Sequence, residues 1–204
     1  MKRVAILISG SGSNMVALVE ALQKSPHAEP ALVLSNNPKA GGLAKAQALG
    51  VPTAVVDHRP FKGDRPAFED EVQQVLEAAR IDVVAHGGFM RILTPGMVAR
   101  WQGRMVNVHP SLLPLFKGLD THARALEAGV AVHGCTVHVV TEELDSGPIL
   151  GQAVIAVEAG DTPESLAARV LKQEHRLYPR ALAAFIEGPE RLLNAPLALF
   201  PGDD

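Results

Sequence analysis

The sequence predicts an α/β protein with a mostly parallel sheet and helices on both faces. Three observations carry that expectation. Val4 to Ile8 is an unbroken apolar run stopped by Ser9-Gly10, as in a strand buried on both faces. Strand-like and helix-like stretches then alternate along the chain, which is βαβ repetition. Glycine and proline punctuate nearly every junction. In order, the elements are a strand at Val4 to Ile8, a helix from Met15 to Leu22 and a strand from Ala31 to Ser35. A helix from Gly41 to Leu49, a strand from Thr53 to Val56 and a helix from Pro66 to Ala79 follow, then a strand from Asp82 to Ala85. Thr94-Pro95 opens another helix with proline in its first turn. A short strand from Arg104 to Val108 stops at Pro110. Thr121 is expected to cap a helix that closes at Gly129, and strands at His133 to Thr141 and Ile149 to Val157 flank an acidic turn. Thr162-Pro163 begins a long helix ending near Glu187, before Gly188-Pro189. The tail beyond Pro189 has no strong period.

Composition narrows the function classes. A chain of 204 residues, 47% hydrophobic and 20% charged, is long enough for one substantial core. Its formal charge of -3 gives no basic footprint for nucleic acid or an anionic membrane, so small-molecule partners are expected. The single Cys135 allows no intrachain disulfide and reads as a small buried hydrophobe in a reducing compartment. Only five apolar residues separate Met1-Lys2-Arg3 from Ser9-Gly10, too few for a signal segment, and a cytoplasmic protein is expected.

Two stretches carry chemistry. Ser9-Gly10-Ser11-Gly12-Ser13-Asn14 lies between a strand and a helix, where glycines admit a close guest and the helix start offers N–H groups to an anion. Met15 stands where a dinucleotide fingerprint needs glycine, no P-loop lysine follows, and Asn36-Asn37-Pro38 lacks an acidic ribose reader. A single phosphate is therefore the expected guest, with a plain strand-to-helix turn as the alternative. The second stretch is Val106-Asn107-Val108-His109-Pro110-Ser111-Leu112-Leu113-Pro114. Residues two apart on a strand share a face, so Asn107 and His109 point together from a strand end, where parallel sheets bind ligands. An amide and an imidazole there can polarise a carbonyl oxygen; the plainer reading is a hydrogen-bonded loop histidine. Gly87-Gly88-Phe89-Met90-Arg91-Ile92-Leu93 is an apolar loop, suited to cover a flat ligand or to tuck into the core.

Other constellations are weaker. The eight histidines lack metal-ligand spacing; His133 and His138, five apart, fall on opposite faces of a strand, and no metal is expected. A Ser111, His109 and Asp145 triad lacks the nucleophile-elbow glycines. Asp145 sits in an acidic turn, and spacing alone leaves open whether it reaches His109.

Together, Ile8 to Asn14, Gly88 to Leu93, Asn107 to Pro114, and His133-Gly134 through Glu143-Leu144-Asp145-Ser146-Gly147-Pro148 resemble the folate-dependent formyltransferases. The resemblance runs from about Val4 to Phe185, and its glycine-rich motif is similar to the branch that acts on glycinamide ribonucleotide in purine biosynthesis. It implies a single Rossmann-like formyltransferase domain over residues 1–204, with a phosphate-binding half at 1–100 and a folate-binding, catalytic half at 101–204. It also implies formyl transfer from 10-formyltetrahydrofolate to the ribonucleotide amine. By position, Gly12, Ser13 and Asn14 match the phosphate loop, Glu174 matches a ribonucleotide-holding residue, and Asn107, His109 and Asp145 match the catalytic trio. Arg65, Met90, Arg91, Ile92 and Leu93, with Asn107, Leu144 and Asp145, match folate contacts. His86-Gly87 departs from the family's usual apolar residue and alanine, and Asp120 occupies a variable position. A homodimer is left open.

The chemistry agrees with that role. Attack on a formyl group passes through a tetrahedral oxyanion that Asn107 and a protonated His109 could stabilise, with Asp145 as the anion favouring the imidazolium. Hydrolysis of the formyl folate and a non-catalytic mononucleotide module are the competing readings.

Overall fold

The computed structural model describes residues 1–202. They form two compact units, residues 1–107 and the chain from Val108 onward.

In the first unit β1 (Lys2–Ile8), β2 (Ala28–Ser35), β3 (Thr53–Val55) and β4 (Val83–His86) alternate with α1 (Ser13–Leu22), α2 (Gly41–Ala48) and α3 (Arg65–Ala78). α4 (Pro95–Arg100) then leads into β5 (Met105–His109). β1 pairs in parallel with both β2 and β4, β2 with β3, and β4 with β5. With a strand on each side, Val4 through Ile8 are fully buried, which is why this run shows no polar alternation. α1 buries Met15, Leu18, Val19 and Leu22, spaced as one helical stripe. Asp64 caps α3 by accepting from the Ala67 N–H at 3.1 Å, and Thr94 caps α4 in the same way through Met97.

The second unit contains α5 (Thr121–Glu127), β6 (Val132–Val139), β7 (Ile149–Ala156), α6 (Pro163–Glu187), α7 (Pro189–Asn194) and β8 (Leu197–Leu199). β6 and β7 are antiparallel, whereas β8 returns parallel to β7. α6 begins with a reciprocal capping box: the Ser165 N–H donates to Thr162 Oγ1, and the Thr162 N–H donates to Ser165 Oγ. Its buried stripe runs from Leu166 and Val170 to Tyr178 and Phe185.

The expected elements are present and the sheet pairings are mostly parallel, with two adjustments. The cap position of α5 is Asp120, not Thr121; Asp120 adopts a left-handed φ of 56° and makes no side-chain cap bond, while Thr121 is buried inside the first turn. The chain from Pro189 onward forms α7 and β8, each too short to leave a period in the sequence. No helix among the described residues is long and apolar enough to cross a membrane.

Candidate active site

In the first unit the glycine-rich loop leaves β1 and enters α1 through Gly12, whose φ of 68° is left-handed. A Cβ there would lie 2.9 Å from the Gly42 Cα, so conformation and close approach both demand glycine. α2 holds the loop from behind. The Gly42 N–H donates to the Gly10 carbonyl at 3.0 Å, and Lys45 Nζ donates to the Ser11 carbonyl at 2.9 Å. Ser13 and Asn14 occupy the first turn of α1, with Asn14 buried. The arrangement presents helix N–H groups at the strand end, as an anion site requires.

The loop after β4 divides the two sequence readings between its residues. Phe89 is buried against the ring of His86, at a centroid separation of 5.6 Å, whereas Met90 and Ile92 are 67% and 63% exposed. Apolar side chains held out side by side suit a flat ligand better than a core. Glu69 fixes the far end of this loop. Buried in α3, it accepts from the Thr94 N–H at 2.8 Å and from the Thr94 hydroxyl. Arg65 stands exposed one turn earlier on the same helix.

In the second unit His109 and Asp145, far apart in sequence, are brought together. Asp145 Oδ2 lies 3.3 Å from His109 Nδ1, and both side chains are more than nine-tenths buried. His109 Nε2 lies 2.9 Å from the Phe116 carbonyl oxygen. A carbonyl and a carboxylate only accept, so meeting both contacts takes a proton on each ring nitrogen. The Gly118 N–H also donates to Asp145 Oδ2, at 2.9 Å. Both residues that face His109 are held with left-handed φ, 54° at Phe116 and 49° at Asp145. Such backbone strain in non-glycine residues concentrates at functional sites. A Cβ at Gly147 would meet the Val139 carbonyl oxygen at 1.8 Å, so glycine is what lets the Asp145 turn lie against the end of β6. Leu144, next to Asp145, is half exposed. Asn107 precedes His109 by two residues on β5 and therefore shares its face.

His138 is a participant that sequence reasoning missed. Its Nε2 lies 3.8 Å from Asp145 Oδ1. Burial holds this ring below the usual imidazole range, and its Nδ1 faces the Val139 carbonyl at 3.0 Å, which places the proton of the neutral ring there. A break in register between Val137 and His138 interrupts the alternation of β6, and no sequence period announces it. Ser111 is a loop tie and not a nucleophile: its hydroxyl donates to the Leu115 carbonyl at 2.6 Å. Thr136 secures the same loop, donating to the Ser111 carbonyl at 2.7 Å and accepting from the Leu113 N–H at 3.0 Å. Cys135 is buried, and burial, together with the neighbouring Glu174 charge, raises its thiol far above the ordinary range. Glu174 is thus placed beside β6, buried on α6. Among the described residues, no group of three or more histidines, cysteines and carboxylates is disposed to hold a metal ion.

The formyl transferase family model matches residues 2–182, which is most of the chain. The chain belongs to this family. Phosphoribosylglycinamide formyltransferase of Escherichia coli K12 is 41% identical over 186 residues, covering 91% of this chain and 87% of that protein. The trifunctional purine biosynthetic protein adenosine-3 of Bos taurus is 46% identical over 93% of the chain, which spans only 19% of that longer protein. The crystal structure of phosphoribosylglycinamide formyltransferase from Brucella melitensis aligns with a TM-score of 0.86 at 52% identity, covering 92% of this chain and 96% of that one. The formyltransferase fold expected from the sequence is thereby the observed one.

A pair of histidine rings in the second unit carries a pH signature. His122 Nδ1 and His133 Nε2 are 3.1 Å apart, and burial, then His122, pushes His133 down to about 4 from an ordinary 6.5. Between those values the unfolded chain takes up a proton that folded His133 refuses. Stability from this ring is complete above about pH 6.5 and declines as pH falls towards 4. His133→Gln should therefore lose less of its thermal midpoint between pH 7 and pH 5 than wild type does, as measured by calorimetry.

Proposed function

We propose that this chain transfers the formyl group of 10-formyltetrahydrofolate to the amine of glycinamide ribonucleotide, a step of purine biosynthesis in the cytoplasm. The observation that carries the chemistry is His109 held between two acceptors, one of them the Asp145 carboxylate, in a chain of this family. The amine nitrogen attacks the formyl carbon and the carbonyl oxygen gains negative charge. Asn107 and the His109 imidazolium donate to that oxygen, with Nε2 exchanging the Phe116 carbonyl for it. The bond from carbon to the folate nitrogen then breaks, its electron pair stays on that nitrogen, and the proton given up by the amine ends there, through water or His109. Gly12, Ser13 and Asn14 take the ribonucleotide phosphate, and Glu174 holds the ribonucleotide. Arg65, Met90 to Leu93, Asn107, Leu144 and Asp145 take the folate. On this reading residues 1–100 hold the phosphate loop and part of the folate site, and 101–204 the rest of the folate site and the catalysis, within one formyltransferase domain.

The test is loss of the formyl group from 10-formyltetrahydrofolate with and without glycinamide ribonucleotide. Loss that depends on the ribonucleotide, with the formyl group recovered on its amine, supports transfer. Equal loss without it indicates hydrolysis, and binding without turnover indicates a mononucleotide module. A photoreactive folate analogue should also label Met90 to Leu93 or the Leu144 to Gly147 turn; labelling confined to Ser9 to Asn14 would refute the folate placement.

A further inference from the structure

Ser9 opens the glycine-rich loop, yet its contacts reach the apolar loop after β4. Its hydroxyl donates to Asn36 Oδ1 at 2.6 Å. An amide oxygen only accepts, so the single hydroxyl proton is committed there, and the oxygen's lone pair accepts the Met90 N–H at 2.8 Å. The Ser9 N–H donates to the Gly88 carbonyl at 3.0 Å, and Asn37 Nδ2 donates to the Ser9 carbonyl at 3.4 Å. Asn36 is itself buried and fixed from its other side, where His58 Nδ1 lies 2.8 Å from its carbonyl oxygen. One serine thus joins the ends of β1, β2 and β4. It leaves Gly10 to Asn14 on one side and Met90 to Leu93 on the other.

We propose that Ser9 is a positioning residue that couples the two loops, so that a ligand ordering one favours binding at the other. This rests on the reading of the first loop as the phosphate site and the second as folate-binding. Anion binding at Ser13 and Asn14 fixes the backbone that carries Ser9, and a fixed Ser9 hydroxyl holds Met90 and the segment after it. By linkage the effect runs equally in reverse. Glu69 supplies the comparison, since it anchors the same segment at Thr94 without touching the glycine-rich loop.

The experiment is calorimetric titration of the full chain with glycinamide ribonucleotide, alone and with saturating tetrahydrofolate, which has no formyl group to transfer. Tetrahydrofolate should tighten ribonucleotide binding in wild type by about three- to ten-fold, the scale of one hydrogen bond. In Ser9→Ala that ratio should fall to about one while each ligand still binds alone. Glu69→Gln should weaken tetrahydrofolate but keep the ratio. A wild-type ratio in Ser9→Ala, no enhancement in wild type, or loss of the ratio in Glu69→Gln as complete as in Ser9→Ala would each overturn the coupling. Ser13→Pro separates this from failure of the underlying reading: undiminished ribonucleotide binding there would remove the phosphate site itself.

Discussion

Asp145→Asn should lower turnover on the order of a hundred-fold at neutral pH. The substitution keeps the size of the side chain and its bond from the Gly118 N–H while removing the charge 3.3 Å from His109 Nδ1. An adjacent anion favours the protonated ring, so without it the oxyanion loses a charged donor. His109→Asn should be impaired by on the order of 10²- to 10³-fold at every pH, the usual scale for removing an oxyanion donor. The double variant should be scarcely worse than the worse single one, because the residues act as a unit. Binding of ribonucleotide should persist in all three, since the missing interaction belongs mainly to the transition state. Rates over a pH series, with binding measured in parallel, check each expectation. Multiplicative losses in the double variant would return Asp145 to the class of ordinary turn carboxylates.

Ser13→Pro has the next largest expected effect. Ser13 is the first residue of α1, a position where proline's fixed φ suits the helix and only an N–H is lost. Proline also restricts the residue before it, and glycine at position 12 adapts more readily than any other. A hydrogen bond to a charged group contributes about 1.5–3 kcal/mol, so ribonucleotide affinity should fall roughly ten- to a hundred-fold. Tetrahydrofolate affinity measured alone should be little changed, and circular dichroism should report intact helix. Equal loss of both ligands, or of neither, would contradict the phosphate assignment.

What the sequence made legible follows from periodicity and from local chemistry. Val4 to Ile8 is buried on both faces and reads as a strand without help; α6 declares itself by Thr162-Pro163 at one end and Gly188-Pro189 at the other. Asn107 and His109 were legible because residues two apart on a strand share a face. The partner of His109 was not, since its distance from Asp145 depends on how the turn after β6 folds back. The Phe116 carbonyl was less legible still, because a backbone acceptor leaves no residue type to notice. Thr121 was read as a cap by its chemistry, whereas the left-handed Asp120 turns the chain into α5 without any side-chain bond. Ser9 looked like part of a glycine turn; its link to Asn36 and Met90 depends on three strands ending side by side. Arg65, Leu144 and Glu174 carried no local signal and entered through family resemblance alone.

The central claim is that Asp145 holds His109 as the charged donor for formyl transfer. It is tested most directly by the NMR signals of the two His109 ring nitrogens at neutral pH, in wild type and in Asp145→Asn, beside turnover. The predicted result is a proton on both nitrogens in wild type and on one in Asp145→Asn, with turnover lost in step. A wild-type ring with a proton on only one nitrogen would contradict the claim.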